Sequence, residues 1–311
     1  MPLQEWSIRI LYNFAETKLN KLMTMNKTLL FALLAICALW SSCGNNSNNG
    51  NGSAATAVDN PKVTDSTLCQ FSNLDIDKQF SYIDEEGDTL YFDNSFSAFW
   101  PQIINGKPCP NLQQALFRAM TDSAELNQLD KVTEFLLNPG NYTEYDPNKF
   151  TPVTQVKDNG KLSTSEVDVI MQSMTDRLLL YHLGTYSYMA GGAHGIYANN
   201  YVTYDLKTEK AVSLEEIVAD TTLLREATLK SILVTYNYGK DDLFLPDNGL
   251  LPLPGDFYIE GSALHVVYQV YEIASYAQGM IDAPIYPHLL KPEELKQLYT
   301  PYGLELLDLA E

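Results

Sequence analysis

A chain of 311 residues with 39 acidic and 20 basic side chains carries a formal net charge of −19. A surface of that sign repels nucleic acid and anionic lipid, and it steers basic proteins and cations toward itself. Four cysteines with no metal-type spacing give no reason to expect a metal or another cofactor, and an apolar fraction of 45% supports a core for one or two domains.

The first informative segment is a short apolar run. Lys27 precedes an uncharged stretch over residues 28–39, which ends in Leu39-Trp40-Ser41-Ser42-Cys43. A basic residue, a run too short to span a bilayer, and small residues before a cysteine make up the layout of a lipoprotein signal. The reading is therefore a leader and signal peptide over residues 1–42, with Cys43 as the lipidated residue. Residues 1–22 fit no step of that scheme, so Met23 or Met25 is taken as the working start. Loss of residues 1–42 removes four basic and two acidic side chains, which brings the charge to −21. Residues 43–67 are Asn, Ser, Gly, Ala and Asp with almost nothing apolar, a flexible linker in composition. The protein is expected in the cell envelope, anchored to a membrane through lipid and facing the periplasm.

Beyond the linker, residues 70–83 and 89–103 place β-branched and aromatic residues on either side of Asp-Glu-Glu-Gly-Asp, which predicts two strands and a turn. Residues 110–120 and 123–137 switch to helical spacing, and Asn138-Pro139-Gly140 stops the second helix. The Pro-, Asn- and Gly-rich stretch 146–161 is read as a boundary between an N-terminal α+β subdomain (68–150) and a C-terminal domain (151–300). Strands are predicted over 167–174, 178–188 and 200–206. Ser213 is placed as a helix cap, and the longest helix follows Asp220. Closing strands are predicted over 257–259, 263–271 and 280–286, a last helix opens at Pro292, and 301–311 is read as a tail. Strands mixed with helices without a regular repeat indicate an α+β fold, a two-part module with a mixed or antiparallel sheet packed by a few helices. Cys37 leaves with the signal, so Cys69 and Cys109 remain as a candidate disulfide in an oxidising compartment.

Two segments could carry chemistry. Gly191-Gly192-Ala193-His194-Gly195 is a glycine cluster that lets the backbone take positive φ, lets a ligand approach closely, and presents His194. It lacks the spacing of a dinucleotide fingerprint and the Lys-Ser/Thr of a phosphate loop. The second segment, Tyr271-Glu272-Ile273-Ala274-Ser275-Tyr276-Ala277-Gln278-Gly279, offers two tyrosines, a carboxylate and a closing glycine. The ligand-binding candidates are Gly191, Gly192, His194, Gly195, Tyr271, Glu272, Tyr276 and Gly279. A Glu near a His could transfer protons. There is no Gly-x-Ser-x-Gly elbow and no His-Glu-x-x-His, and His182, His265 and His288 stand singly as structural or surface residues.

These two segments, with Tyr204-Asp205-Leu206-Lys207-Thr208, Ser213-Leu214-Glu215-Glu216-Ile217 and Pro254-Gly255-Asp256-Phe257, resemble in the same order domain of unknown function 3298. That domain closes the lysozyme-sensing anti-sigma factor RsiV and also occurs beside a peptidoglycan deacetylase domain. The resemblance spans roughly residues 152–298 and implies an α+β envelope module with extracytoplasmic ligand binding. It transfers no catalytic residues, and the sigma-factor role is not carried over. The expected partner is a cell-wall glycan or a basic protein such as lysozyme. The alternative is an envelope glycan hydrolase or esterase that uses Glu272 and His194.

Overall fold

The computed structural model describes residues 68–157 and 160–309; the signal segment, Cys43 and the linker lie outside the described residues. Strands β1 (Gln70–Ile83) and β2 (Thr89–Ile104) pair antiparallel from Gln70↔Ile103 to Ile83↔Thr89. The Asp84 carboxylate holds the turn between them by accepting from the N–H groups of Glu86 and Asp88 at 3.0 and 2.8 Å. β2 then turns through Asn105-Gly106, both at positive φ, into β3 (Lys107–Pro108). An Asn-Gly pair suits this two-residue hairpin because its twist requires left-handed backbone at both positions.

Burial alternates along β2, so that Phe92, Asn94, Phe96, Ala98 and Trp100 share one face. Helices α1 (Pro110–Thr121) and α2 (Leu129–Leu137) cover that face with Leu112, Leu116, Met120, Val132 and Leu136, and Trp100 stacks on Phe117 at 5.1 Å. Each such side chain contributes on the order of 1.5–3 kcal/mol by leaving water. The buried Asn94 amide is fully engaged, donating to the Leu137 carbonyl at 2.9 Å and accepting from the Tyr142 hydroxyl at 2.6 Å. α2 starts six residues later than its spacing predicts. Asp122 in the left-handed region ends α1, and the Ser123 hydroxyl then accepts from the Glu125 N–H at 3.2 Å, a local turn that competes with helix.

Strands β4 (Thr151–Val153), β5 (Leu162–Met174), β6 (Leu178–Tyr188), β7 (Ile196–Asp205) and β8 (Lys210–Ala211) complete an eight-stranded sheet. Its order is β4-β1-β2-β5-β6-β7-β8, with β3 also on β2. β2 and β5 pair in parallel and all other neighbours antiparallel. This makes the fold α+β with a mixed sheet, as expected. The boundary at 146–161 is corrected, however. The parallel β2–β5 pairing carries one sheet and one core across it, so 68–150 and 151–300 are not two separately cored subdomains. The Pro-rich stretch is instead a crossover that lays β4 back on β1.

A second sheet, β11-β10-β9, is formed by β9 (Asp256–Glu260), β10 (Ala263–Tyr268) and β11 (Ile281–Ile285). Helices α3 (Leu214–Ile217), α4 (Thr221–Thr235), α5 (Pro292–Leu298) and α6 (Pro301–Leu306) share its core. Ser213 and Asp220 open α3 and α4; the Asp220 carboxylate accepts from the N–H groups of Thr222 and Leu223 at 2.8 and 3.0 Å. The run Leu179-Leu180-Tyr181 is buried throughout because both faces of β6 are covered there: Leu179 and Tyr181 face the helices, and Leu180 meets Tyr258 and Val267 of the small sheet. The expected tail at 301–311 is corrected too. Residues 301–306 form α6, Leu306 and Leu307 are buried, and Gly303 lies so close to Ile217 that an added Cβ would sit 2.3 Å from its carbonyl oxygen. Cys69 and Cys109 are free thiols in the first core, so the candidate disulfide is not formed. Burial, with Cys69 adding to it, pushes the Cys109 thiol up to about 11, which suits packing rather than reactivity.

One charged knot joins the two cores. Asp205, with no exposed surface, takes a bidentate pair from Arg177 at 2.6 and 3.0 Å. It also accepts from the Lys207 N–H at 2.9 Å, the Thr208 hydroxyl at 2.9 Å and the Tyr302 hydroxyl of α6 at 2.8 Å. Arg177 and Lys207 share Glu305 of α6 at 2.8 and 2.9 Å. Burial alone would raise the Asp205 pKa, but these donors, Arg177 first, hold it below the usual carboxylate range. Its contribution to stability is therefore present above the unfolded value of about 4 and is lost as pH falls below it. Asp205→Ala should cost on the order of 3 kcal/mol by taking the bidentate carboxylate from Arg177, which is left with Glu305. Urea unfolding of Asp205→Ala beside Glu305→Gln checks this, with only a small change of midpoint expected for the second.

Candidate functional site

The β6–β7 hairpin closes through residues 189–195. Its loop is fixed to β5 by the Ala190 N–H, which donates to the Ser163 hydroxyl at 3.0 Å. Of the three glycines here, Gly191 alone sits at positive φ, +83°. Gly195 is needed for space, since a Cβ there would lie 2.4 Å from the Tyr186 ring. The second segment leaves β10 at Tyr268, earlier than predicted. It turns at Tyr271 with φ 67°, an uncommon conformation for an aromatic residue. Buried Ile273 and Ala274 anchor it, and the Ile273 carbonyl accepts from the Phe244 N–H at 2.7 Å. The segment ends at Gly279, φ +76°, where a side chain would press on the Tyr197 hydroxyl.

The structure brings these two segments together. The His194 ring stacks on Tyr276 with centroids 4.0 Å apart, and the Tyr276 hydroxyl donates to the Gly195 carbonyl at 2.8 Å. His194 Nδ1 lies 2.9 Å from the same carbonyl. Because a carbonyl only accepts, Nδ1 carries the proton, and Nε2 is left to accept from the Tyr271 hydroxyl at 3.4 Å, a long contact. Tyr271 and Tyr197 flank Tyr276 at 5.5 and 6.1 Å. Tyr186 faces Tyr197 across the hairpin and is exposed, as is Met189. Desolvation, then the Tyr197, Tyr186 and Tyr271 hydroxyls, raise the Tyr276 pKa. The result is an open platform of four tyrosines and a histidine. Tyr186 and Tyr197 were missed in the sequence, although their position on a predicted hairpin would have revealed them once the register was known.

Glu272 does not join His194. Its carboxylate accepts from the Gln269 N–H at 2.8 Å, while His194 is engaged by Gly195, Tyr271 and Tyr276. Gln269 in turn clips β7: its Oε1 accepts from the Asn199 N–H at 3.0 Å, and its Nε2 donates to the Asn199 carbonyl at 2.6 Å. Two residues on, Asp256 accepts from the Tyr201 N–H at 2.8 Å. Burial lifts Glu272 to about 7. It lifts Asp256 to about 8, with the Glu272 charge adding to the rise. The Asp256 carboxyl and the Gln269 amide thus occupy the β7 edge, and Glu272 holds the Gln269 backbone behind them.

Of the remaining histidines, His182 and His265 are half-buried, and His288 is exposed beside Tyr286 at 5.6 Å. His265 Nδ1 lies 2.9 Å from Asp282, which also accepts from the Tyr258 hydroxyl at 2.5 Å. Rings stack from His265 to Tyr258 and from Tyr258 to Tyr201 at 4.3 Å each, and His182 follows at 5.1 Å. Among the described residues no group of three or more His, Cys, Asp or Glu side chains could hold a metal ion, and no helix is long and apolar enough to cross a membrane.

A crystal structure of a DUF3298 family member from Bacteroides fragilis NCTC 9343 is similar to this chain with a TM-score of 0.51 at 15% identity, over 76% of this chain and 95% of its own. At that identity the likeness shows the fold alone. A DUF3298 family protein from Pseudomonas aeruginosa PAO1 gives a TM-score of 0.47 at 15% identity, over 75% of this chain and 95% of its own. No curated protein matches the sequence. Residues 200–286 match the family model described as "Protein of unknown function (DUF3298)"; the match takes in Tyr271, Tyr276 and Gly279 and begins within β7, after the loop that carries His194. Residues 200–286, which take in the whole small sheet and the Tyr271 and Tyr276 rings of the platform, thus match the DUF3298 domain.

Proposed function

We propose that this protein is a lipid-anchored envelope binding or sensing module whose aromatic platform docks a glycan-degrading protein such as lysozyme, or the cell-wall glycan itself. The observation that carries the reading is the platform of Tyr186, His194, Tyr197, Tyr271 and Tyr276, open to solvent and assembled from two loop segments. Tyrosines bury a large area at small entropic cost and keep a polar tip, which is why they dominate adaptable recognition surfaces. An open surface suits a protein partner better than an enclosed small-molecule pocket would. The net charge of −19 favours a basic one, and the Gln278 side chain ties the platform to the acidic turn Asp241-Asp242 by donating to the Asp242 carbonyl at 3.1 Å. Lipidation at Cys43 would place the module on a membrane facing the periplasm.

The hydrolase or esterase alternative has one observation in its favour, a Glu272 carboxyl lifted to about 7 by burial, as a general acid requires. Against it stands the geometry, since that carboxyl is bound to Gln269 and not to His194. Turnover of soluble peptidoglycan fragments, abolished by Glu272→Gln, would move the protein into the enzyme class.

Three outcomes follow for measurement. In calorimetric titrations at physiological salt, Tyr271→Ala and Tyr276→Ala should each weaken binding of a basic lysozyme or of peptidoglycan fragments roughly tenfold or more, as aromatic anchors do. Equal binding of every basic protein, vanishing as salt is raised, would refute the platform's role. Intact mass of the membrane fraction should show acylation that Cys43→Ala removes. Finally, burial lifts the Asp256 and Glu272 carboxyls to about 8 and about 7, from ordinary values of 3.8 and 4.5. The folded state thus binds more protons than the unfolded one between those limits. Their contribution is complete at low pH and is lost as pH rises from about 4 to about 8. Thermal unfolding should show Tm falling across this window, and Asp256→Asn with Glu272→Gln should flatten the slope.

A further inference from the structure

A cavity of about 350 Å³ lies away from the platform, between the β2–β3 hairpin, the start of α1 and the β7–β8 turn. Its walls carry Lys107, Cys109, Asn111, Tyr204 and Glu209 over an apolar floor that includes Ile104. Asn111 fastens the helix to the turn by donating from Nδ2 to the Glu209 carbonyl at 3.1 Å. Three features give it the character of a binding site.

First, α1 is twelve residues long and opens without a side-chain cap, because Cys109 occupies the N-cap and Pro110 follows it. The first N–H groups of a helix have no partner within it, and its dipole favours negative charge there. Second, Tyr204 is only 4% exposed, yet its hydroxyl makes no hydrogen bond among the described residues. The hydroxyl is not sealed from solvent, and the cavity that Tyr204 lines gives it that access. Burial first, then the neighbouring Glu209, Cys109 and Asp205, push this hydroxyl up to about 12. Third, the charges at the rim are of both signs and neither is spent. Lys107 and Glu209 are exposed and form no ion pair among the described residues.

An anion alone would meet Glu209, and a cation alone would meet Lys107 and the positive end of α1. A molecule with both charges satisfies both. We propose that this cavity binds a small zwitterion, a free amino acid or a dipeptide. The carboxylate is received by Lys107, the Tyr204 hydroxyl and the uncapped start of α1, and the ammonium is received by Glu209. The volume admits a ligand of that size and excludes a folded partner or a long glycan.

The test is calorimetric titration of the folded protein with a panel of amino acids and dipeptides, alongside their N-acetyl and C-amide derivatives. Saturable binding of at least one zwitterion is expected, with each derivative about tenfold weaker, as for loss of one hydrogen bond to a charged group. Tyr204→Phe should weaken binding by a similar factor while leaving the Tm of the free protein unchanged, because the hydroxyl it removes serves no partner in the fold. Lys107→Met and Glu209→Gln should weaken it as well. The proposal is overturned if nothing on the panel binds at millimolar concentration, if the N-acetyl and amide forms bind as well as the parent, or if Tyr204→Phe lowers Tm without affecting affinity.

Discussion

Asp205 is the residue on which the arrangement of the two cores turns. It ends β7, and its two carboxylate oxygens collect five donors, from the start of β6, the turn after β7 and the C-terminal helix α6. The same residue pairs with Leu178 at one end of the β6–β7 ladder, whose other end pairs Ser187 with Ile196. Fixing one end of a hairpin fixes its register, and a slip of one residue would send every side chain to the opposite face. Tyr186 stands opposite Tyr197 at the far end because Arg177 grips Asp205 at the near end. An ion pair distant from the platform thereby sets its geometry.

Asp205 and Asp256 are the same amino acid under opposite rule. Both are removed from water, which disfavours charge. Asp205 meets a guanidinium and further donors and stays ionised, whereas Asp256 meets two backbone N–H groups and no cation, and its pKa rises. The difference lies in what the chain brings to each. Arg177 is supplied by a tight turn before β6, its backbone carbonyl held by the Leu206 N–H at 2.9 Å, while the charge that acts on Asp256 is that of another acid, Glu272.

Local pattern made much of this legible. The turn between β1 and β2, the caps at Ser213 and Asp220 and the stop after α2 each follow from chemistry within a few residues. The misplaced boundary arose because Pro- and Asn-rich composition reports only that a stretch is irregular. Whether the strands before and after it pair is decided by contacts between residues such as Phe96 and Val167, which no local pattern records. The tail was misread for a related reason: Gly303 and Leu306 have a buried face only because Ile217 and its neighbours come back to meet them. In the site, the two loop segments announced themselves through glycine and tyrosine, but the partners of Glu272 depended on which strand edge lay beside it.

The clip that Gln269 makes on β7 reaches beyond the residues it touches. A strand with unpaired N–H and C=O groups is a template on which another chain can add itself. At Asn199 a side-chain amide occupies both positions that an incoming strand would use, and at Tyr201 the Asp256 carboxylate takes the next N–H. The sheet is thus terminated chemically, without a covering strand, along the very edge that lies next to its exposed rings. A second copy that approaches these rings therefore finds no free strand edge at Asn199 or at the Tyr201 N–H on which to add itself.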